Sequence, residues 1–143
     1  MQVKFKRLVP AAQVPKYAKP GDAGMDLVAT SYQYLDDIGC HVYGTGLAVE
    51  IPEGYVGLVF PRSSNRKTEA YLTNHVGVID SGYRGEIMAS FKNRVPSYMK
   101  EPYNIGDRIC QLIIIPYPTI EPVEADELNE TERGAGGHGS TGK

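Results

Sequence analysis

The stretch Gly77-Val78-Ile79-Asp80-Ser81-Gly82-Tyr83-Arg84-Gly85 sets a carboxylate, a phenol ring and a guanidinium among three glycines. Glycine permits positive φ and lets a ligand approach the backbone closely, and the apolar runs on either side read as the strands of a hairpin. Asp80 then stands where a carboxylate can take a proton from water. Tyr83, three residues on, stands where a ring can lie against a flat or sugar-like group. Asp and Gly are also the residues of an ordinary turn, so the weight of this reading depends on the rest of the chain.

Three further stretches carry groups suited to an anionic ligand. Arg62-Ser63-Ser64-Asn65-Arg66-Lys67 follows a strand and Pro61, and offers a guanidinium, two hydroxyls and free backbone amides to a cluster of anionic oxygens. A solvated basic turn would look the same. Ala23-Gly24-Met25-Asp26-Leu27 opens a strand with one carboxylate, which would matter as an outer partner of a hydrated Mg²⁺. Gln111 interrupts the apolar strand of Gly106-Asp107-Arg108-Ile109-Cys110-Gln111-Leu112, where its amide must find partners in a neighbouring strand or a ligand. The tail Gly137 to Lys143 matches G-x-x-x-x-G-K. An acidic stretch stands where the strand of a phosphate-binding P-loop is required, so that mechanism is rejected. Arg133 and the hydroxyls of the tail can still wrap a polyphosphate as an adaptable arm.

The elements that must position these groups are short strands. The 143 residues fit one domain, and Gly 16 and Pro 10, spread throughout with many Val, Ile and Tyr, predict an all-β sandwich or barrel. Strands are expected at Val3–Leu8, Met25–Ala29, Thr45–Ile51 and Tyr55–Phe60, the last two forming one hairpin about Pro52-Glu53-Gly54. Further strands are expected at Tyr71–Asn74, Val76–Asp80, Glu86–Phe91 and Arg108–Ile115, the last central, with Ile120–Val123 as an edge. Arg62–Thr68 reads as a loop or one helical turn. A core over residues 1–124 and a mobile arm over 125–143 follow from the change to acidic, then Gly-Ser-Thr-rich composition. The net charge of −2 argues against a nucleic-acid or anionic-membrane partner, and no apolar run is long enough to span a bilayer. Cys40 and Cys110 read as buried free thiols in a reducing, cytoplasmic setting (host cytoplasm for a viral protein). No Cys/His cluster has zinc spacing, and His41, His75 and His138 are scattered.

In order, the stretches 23–27, 61–64, 77–85, 106–112 and 133–142 resemble the five motifs of the homotrimeric deoxyuridine triphosphatases, and together they run through nearly the whole chain. The resemblance implies a jelly-roll-like β-clip subunit, a homotrimer with shared active sites, and Mg²⁺-dependent hydrolysis of dUTP to dUMP and pyrophosphate. Such an activity limits uracil incorporation into DNA and supplies dUMP for dTMP synthesis. It assigns Asp80 to activation of the attacking water and Tyr83 to packing on the deoxyribose. Asn74, Val78, Ile79 and Met88 match positions that hold uracil or line the nucleoside pocket. Arg62, Ser63, Ser64 and Gln111 match phosphate contacts, and Asp26 matches the acidic partner of the hydrated metal. Arg133, Ser140 and Thr141, with His138 and Gly139 between, match the tail that closes over the nucleotide.

Two departures stand out. His138 occupies the place of a phenylalanine that stacks over uracil, which predicts a weaker lid or one that loosens as pH falls. Ser64 stands where many members have glycine, which keeps the site rich in hydroxyls. The related dCTP deaminases need a glutamate on the strand after the hairpin, and the aligned residue here is Ser90, so deamination lacks its proton carrier. A regulatory or interaction trimer of the same fold that binds nucleotide without turnover is the alternative of a different class.

Overall fold

The structure, a computed structural model, describes residues 1–94 and 100–137. Ten strands and one short 3₁₀ turn make up the ordered elements among them. One four-stranded sheet has the order β2-β10-β6-β8, from Met25–Val28, Arg108–Pro116, Tyr55–Pro61 and Gly77–Ile79. A second runs β3-β4-β9-β7, from Ser31–Leu35, Cys40–Gly44, Met88–Asn93 and Ala70–Leu72. A two-stranded ribbon pairs β1 (Lys4–Arg7) with β5 (Leu47–Glu50). Every pairing is antiparallel.

Alternation explains how one core serves all three sheets. On β9, Ala89 and Phe91 turn inward while Met88 is exposed, as a half-buried strand of period two requires. Leu27, Val59, Ile109 and Leu112 from the first sheet meet Tyr43, Leu72 and Phe91 from the second, with Leu47 and Val49 from the ribbon. Burying each large apolar side chain in this way contributes about 1.5–3 kcal/mol relative to leaving it exposed. β10 is central, as its run of Ile and Leu predicts. Its Cys110 is fully buried, and burial pushes the thiol up to about 12; Cys40 is also buried and free.

Several expectations need correction. Thr45–Ile51 and Tyr55–Phe60 do not form a common hairpin: β5 pairs with β1, and β6 pairs with β10 and β8. The intervening turn exists, with the Tyr55 N–H donating to the Pro52 carbonyl at 3.1 Å and Gly54 at φ +80°, but it hands the chain from one sheet to another. Likewise β8 pairs with β6 and β9 with β4 and β7, so residues 80–87 connect two sheets and the stretch Gly77–Gly85 is not a hydrogen-bonded hairpin. Ile120–Val123 forms no strand; it lies exposed, and Pro118 and Pro122 limit its ladder donors. The hairpin of β3 and β4 was not legible as strands at all, although Asp36 to Gly39 between runs of alternating aromatics is its signal. No helix among the described residues is long and apolar enough to cross a membrane.

Candidate active site

The end of the first sheet gathers the candidate phosphate groups. Antiparallel register puts Gln111 of β10 between Asp26 of β2 and Phe60 of β6, and Pro61 ends β6 so that Arg62 emerges beside them. Arg62 donates from Nε to Asp26 Oδ1 at 2.6 Å and from Nη2 to Oδ2 at 3.3 Å, a two-point grip on the carboxylate. Its Nη1 reaches Ser64 Oγ at 3.1 Å and the Arg108 carbonyl at 3.4 Å. Arg108 adds a third donor to Asp26, Nη1 to Oδ2 at 3.2 Å. Gln111 is tied by its Nε2 to the Pro61 carbonyl at 3.1 Å, which settles the partner its position demanded. Gly24 leaves room for this arrangement, because a Cβ at that position would push the Gln111 side-chain oxygen aside.

The cluster is therefore cationic on balance. Two guanidinium groups surround one carboxylate, with a hydroxyl and an amide beside them. Arg62 and Asp26 retain 23% and 24% of their side-chain exposure, so the pair is neither sealed from water nor freely solvated. The Arg62 guanidinium is held in one orientation by Asp26, Ser64 and the Arg108 carbonyl. Ser63 lies exposed at the start of the 3₁₀ turn Ser63–Lys67.

The connection after β8 is built from backbone. Asp80 is exposed just beyond the edge strand, and the Tyr83 N–H donates to the Asp80 carbonyl at 3.1 Å to close a tight turn. Tyr83 folds its ring back across Gly85 and donates from its hydroxyl to the Glu86 carbonyl at 3.0 Å; a Cβ on Gly85 would collide with that ring. Arg84 caps the turn through its Nη1 to the carbonyls of Ser81 (2.6 Å) and Tyr83 (2.9 Å). Val78 and Met88 are exposed apolar residues at 62% and 55%, surface that a nucleoside can cover, while Ile79 is half-buried against the core. Asn74 lies exposed at the entry to β8, in a turn where His75 takes φ +60° and the Val76 N–H donates to the Asn74 carbonyl at 2.6 Å.

Within one chain the two halves are apart. Ile79 pairs with Gly57, so Asp80 falls opposite Val56, whereas Arg62 lies past the far end of β6. Strand rise puts about 20 Å between those positions. Asp80 instead borders a cavity of about 360 Å³ lined by Tyr55, Val56, Leu58, Val78, Ser81 and Tyr117. The structure thus brings Asp26, Arg62, Ser64 and Gln111 together and keeps Asp80 with Tyr83 at a different place.

Among the described residues no cluster of three or more His, Cys, Asp or Glu could enclose a metal ion. Asp26 does fit the role of an outer partner. Its carboxylate accepts three hydrogen bonds from the two arginines and has lone-pair capacity left for a water molecule. Arg133 lies in a turn where its Nε donates to the Gly136 carbonyl at 2.9 Å. His138, Gly139, Ser140 and Thr141 lie outside the described residues. Sequence reading passed over Arg108, although it sits inside one of the motifs; its signal was a basic residue at the start of the strand that pairs with Asp26.

Fold and site together define an all-β protein with a hydrogen-bonded Arg62–Asp26–Arg108 cluster at one strand end and a separate carboxylate-bearing turn. Comparison with known proteins then specifies the family. The family model described as dUTPase matches residues 11–142. The chain is 43% identical to the deoxyuridine 5'-triphosphate nucleotidohydrolase of Nocardia farcinica, over 98% of this chain and 85% of that protein. It is 44% identical to the one from Cutibacterium acnes, over 94% and 88%. Among solved structures it resembles the dUTPase of Staphylococcus bacteriophage 80alpha with dUpNHpp, with a TM-score of 0.81, 29% identity and 99% of both chains covered. It is also similar to a variant dUTPase of phage phi11 of S. aureus, whose structure shows coordination of a structural Mg(II) ion (TM-score 0.74, 28% identity, 89% and 98% covered). The chain belongs to the dUTPase family.

Proposed function

We propose that the protein hydrolyses dUTP to dUMP and pyrophosphate, with Asp80 as the base. The observation that carries the reading is the Arg62–Asp26–Arg108 cluster with Ser64 and Gln111, a ready-made seat for a polyphosphate at a strand end. Water attacks the α-phosphorus; the new P–O bond forms as the bond to the α,β-bridging oxygen breaks, and pyrophosphate leaves. The water proton passes to the Asp80 carboxylate. Arg62, joined by Arg133 from the arm over residues 125–143, faces the charge that develops on the phosphate oxygens. Asp26 is the residue that would hold a hydrated Mg²⁺ through water, and the metal would supply counter-charge at the phosphate oxygens.

Selectivity belongs to the other half. The Tyr83 ring, fixed by its bond to the Glu86 carbonyl, lies against deoxyribose and leaves no room for a 2′-hydroxyl. The backbone at Val78 and Ile79, with Asn74, offers fixed donors and acceptors to uracil, so cytosine would leave buried groups unpaired. Met88 covers the nucleoside. Ser63, His138, Gly139, Ser140 and Thr141 complete the phosphate and lid contacts, and closure of the arm shields the single attacking water and the substrate from bulk solvent. The physical gap between Asp80 and Arg62 supports sites shared between the chains of a homotrimer: one chain supplies the base where another supplies the phosphate seat. The product role is removal of dUTP before it enters DNA and supply of dUMP for dTMP synthesis.

The test is pyrophosphate release from dUTP, dCTP, dTTP and UTP with Mg²⁺, beside an Asp80→Asn control. Release from dUTP alone, abolished by the substitution, is the expected result. Binding of dUTP without release would transfer the protein to the regulatory class.

A further inference from the structure

The 3₁₀ turn that carries Ser63 and Ser64 has no buried residue of its own. Turns of this type are short and their internal hydrogen bonds are poor, so an unanchored one would fray. Besides the Arg62–Ser64 bond and two bonds from the Thr68 hydroxyl to Asn65 (2.8 Å to its carbonyl, 3.1 Å to its Oδ1), the half-buried Asn65 side chain fastens it to the core. Asn65 accepts at Oδ1 from the Tyr103 hydroxyl at 2.8 Å and donates from Nδ2 to the Ala70 carbonyl at 3.1 Å. Its carbonyl accepts from the Thr68 N–H at 2.9 Å, and its own N–H donates to the Arg62 carbonyl at 2.9 Å. Asn65 is thus bonded to the arginine of the phosphate seat on one side and to the core on the other.

Tyr103 is a rigid post for that purpose. The residue is 8% exposed, and its ring lies against Phe91 and Tyr43, with centroids at 5.1 and 6.0 Å. Its backbone is clamped by Tyr43, whose hydroxyl donates to the Tyr103 carbonyl at 2.8 Å and accepts from the Tyr103 N–H at 3.2 Å. Tyr43 is itself fully buried on β4. A continuous path of hydrogen bonds therefore leads from the centre of the second sheet to the turn beside Arg62. Coupling between sites needs such a contiguous physical connection, and its energetic reality needs a mutant cycle.

We infer that Tyr103 is a positioning residue for the phosphate seat, acting through Asn65 on the turn that presents Arg62, Ser63 and Ser64. The inference rests on the dUTP-hydrolysis reading above. Tyr103→Phe deletes one hydroxyl and keeps the ring in the core. Asn65→Ala cuts the same bond from the outer side, and so serves if the core substitution does not fold. The readouts are kcat and KM for dUTP, the affinity for dUpNHpp, and inhibition by deoxyuridine, which has no phosphate.

Each single variant is expected to lower kcat/KM and dUpNHpp affinity about tenfold while the deoxyuridine inhibition constant stays within about twofold. Asn65→Ala also removes the side-chain bonds to the Ala70 carbonyl and the Thr68 hydroxyl, and the double variant is expected to be no worse than Asn65→Ala alone, because the Tyr103 bond is already lost there. Equal weakening of deoxyuridine and dUpNHpp would mark a general structural loss and overturn the inference. So would unchanged kcat/KM in Tyr103→Phe, or losses that simply add. A wild-type protein that releases no pyrophosphate from dUTP would instead overturn the functional reading, and this inference with it.

Discussion

The strand end around Asp26 and the turn around Asp80 hold an aspartate each, and they treat it in opposite ways. Asp26 is gripped by two arginines, with Gln111 and Ser64 tied down beside it. Asp80 stands exposed in a turn whose hydrogen bonds are made by backbone and by its neighbours Tyr83 and Arg84. A carboxylate already held by two guanidiniums is a scaffold that fixes both of them. A carboxylate at an open turn is available to a water molecule. The same residue type thus serves as strut in one place and as candidate base in the other, and the difference is made by what surrounds it.

The largest expected effect breaks the two apart chemically. Asp80→Asn is expected to lower kcat by about 10³-fold with dUpNHpp still bound, as loss of a general base does. Arg62→Ala is expected to lower activity by about 10²- to 10³-fold, the scale for loss of one oriented charge donor. If the two ends meet only between chains, unfolding the two variants together and refolding them restores activity that neither has alone. Such mixtures contain sites with an intact Asp80 from one chain and an intact Arg62 from another. A mixture as inactive as its parents would show that each chain completes its own site, despite the about 20 Å of strand between these positions.

A pair of glycines sharpens the comparison at about tenfold, or about 1.4 kcal/mol in affinity. Gly24→Ala pushes the Gln111 side-chain oxygen aside, and Gly85→Ala pushes the Tyr83 ring aside. In both cases the displaced atoms are the ends of side chains that can move, so thermal stability is expected to change little. Gly24→Ala is expected to weaken dUpNHpp binding and spare deoxyuridine. Gly85→Ala is expected to weaken both, because the nucleoside is common to them. Titration calorimetry with the two ligands separates the cases; identical effects from the two substitutions would mean that the ends are not functionally distinct.

How far the sequence reached follows the same division. The polar groups that cluster at this strand end, as candidates for a phosphate site, were readable because Asp26 and Arg62 lie at the ends of apolar runs, and Gln111 announced itself as a polar residue within one. β10 as a central strand was equally plain from its Ile and Leu content. Pairing partners were not plain. Pro52-Glu53-Gly54 looks like a hairpin turn whether or not the strands it joins bond to each other, and only the three-sheet arrangement decides that they do not. The same blindness made the Asp80 segment look like a hairpin. Tyr103 and Asn65 could not be paired from sequence, since they stand 38 residues apart and the stretch between carries no sign that the chain returns. Arg108 was overlooked because an arginine at a strand start is ordinary until register places it beside Asp26.

The smallest expected effect lies behind both ends, in the second sheet. His41 is buried on β4 with its Nδ1 3.0 Å from the Tyr32 hydroxyl and its Nε2 3.3 Å from the Asn93 amide nitrogen, and the Tyr34 ring packs on it at 4.8 Å. Burial lowers its pKa, and the negative charge of Glu101 opposes that shift without reversing it. The folded protein therefore keeps the imidazole neutral at pH values where the unfolded chain, near its ordinary pKa of about 6.5, already binds a proton. Stability from this site is fully present above that pH and is lost as pH falls below it towards the depressed folded value. A modest fall in Tm between pH 7 and pH 5.5 is the expected outcome, and His41→Gln is expected to flatten it. Because His41 bonds to neither aspartate's surroundings, the pH dependence of kcat should be the same in both proteins. A changed kcat profile with an unchanged Tm slope would place His41 in the service of the active site instead of the fold.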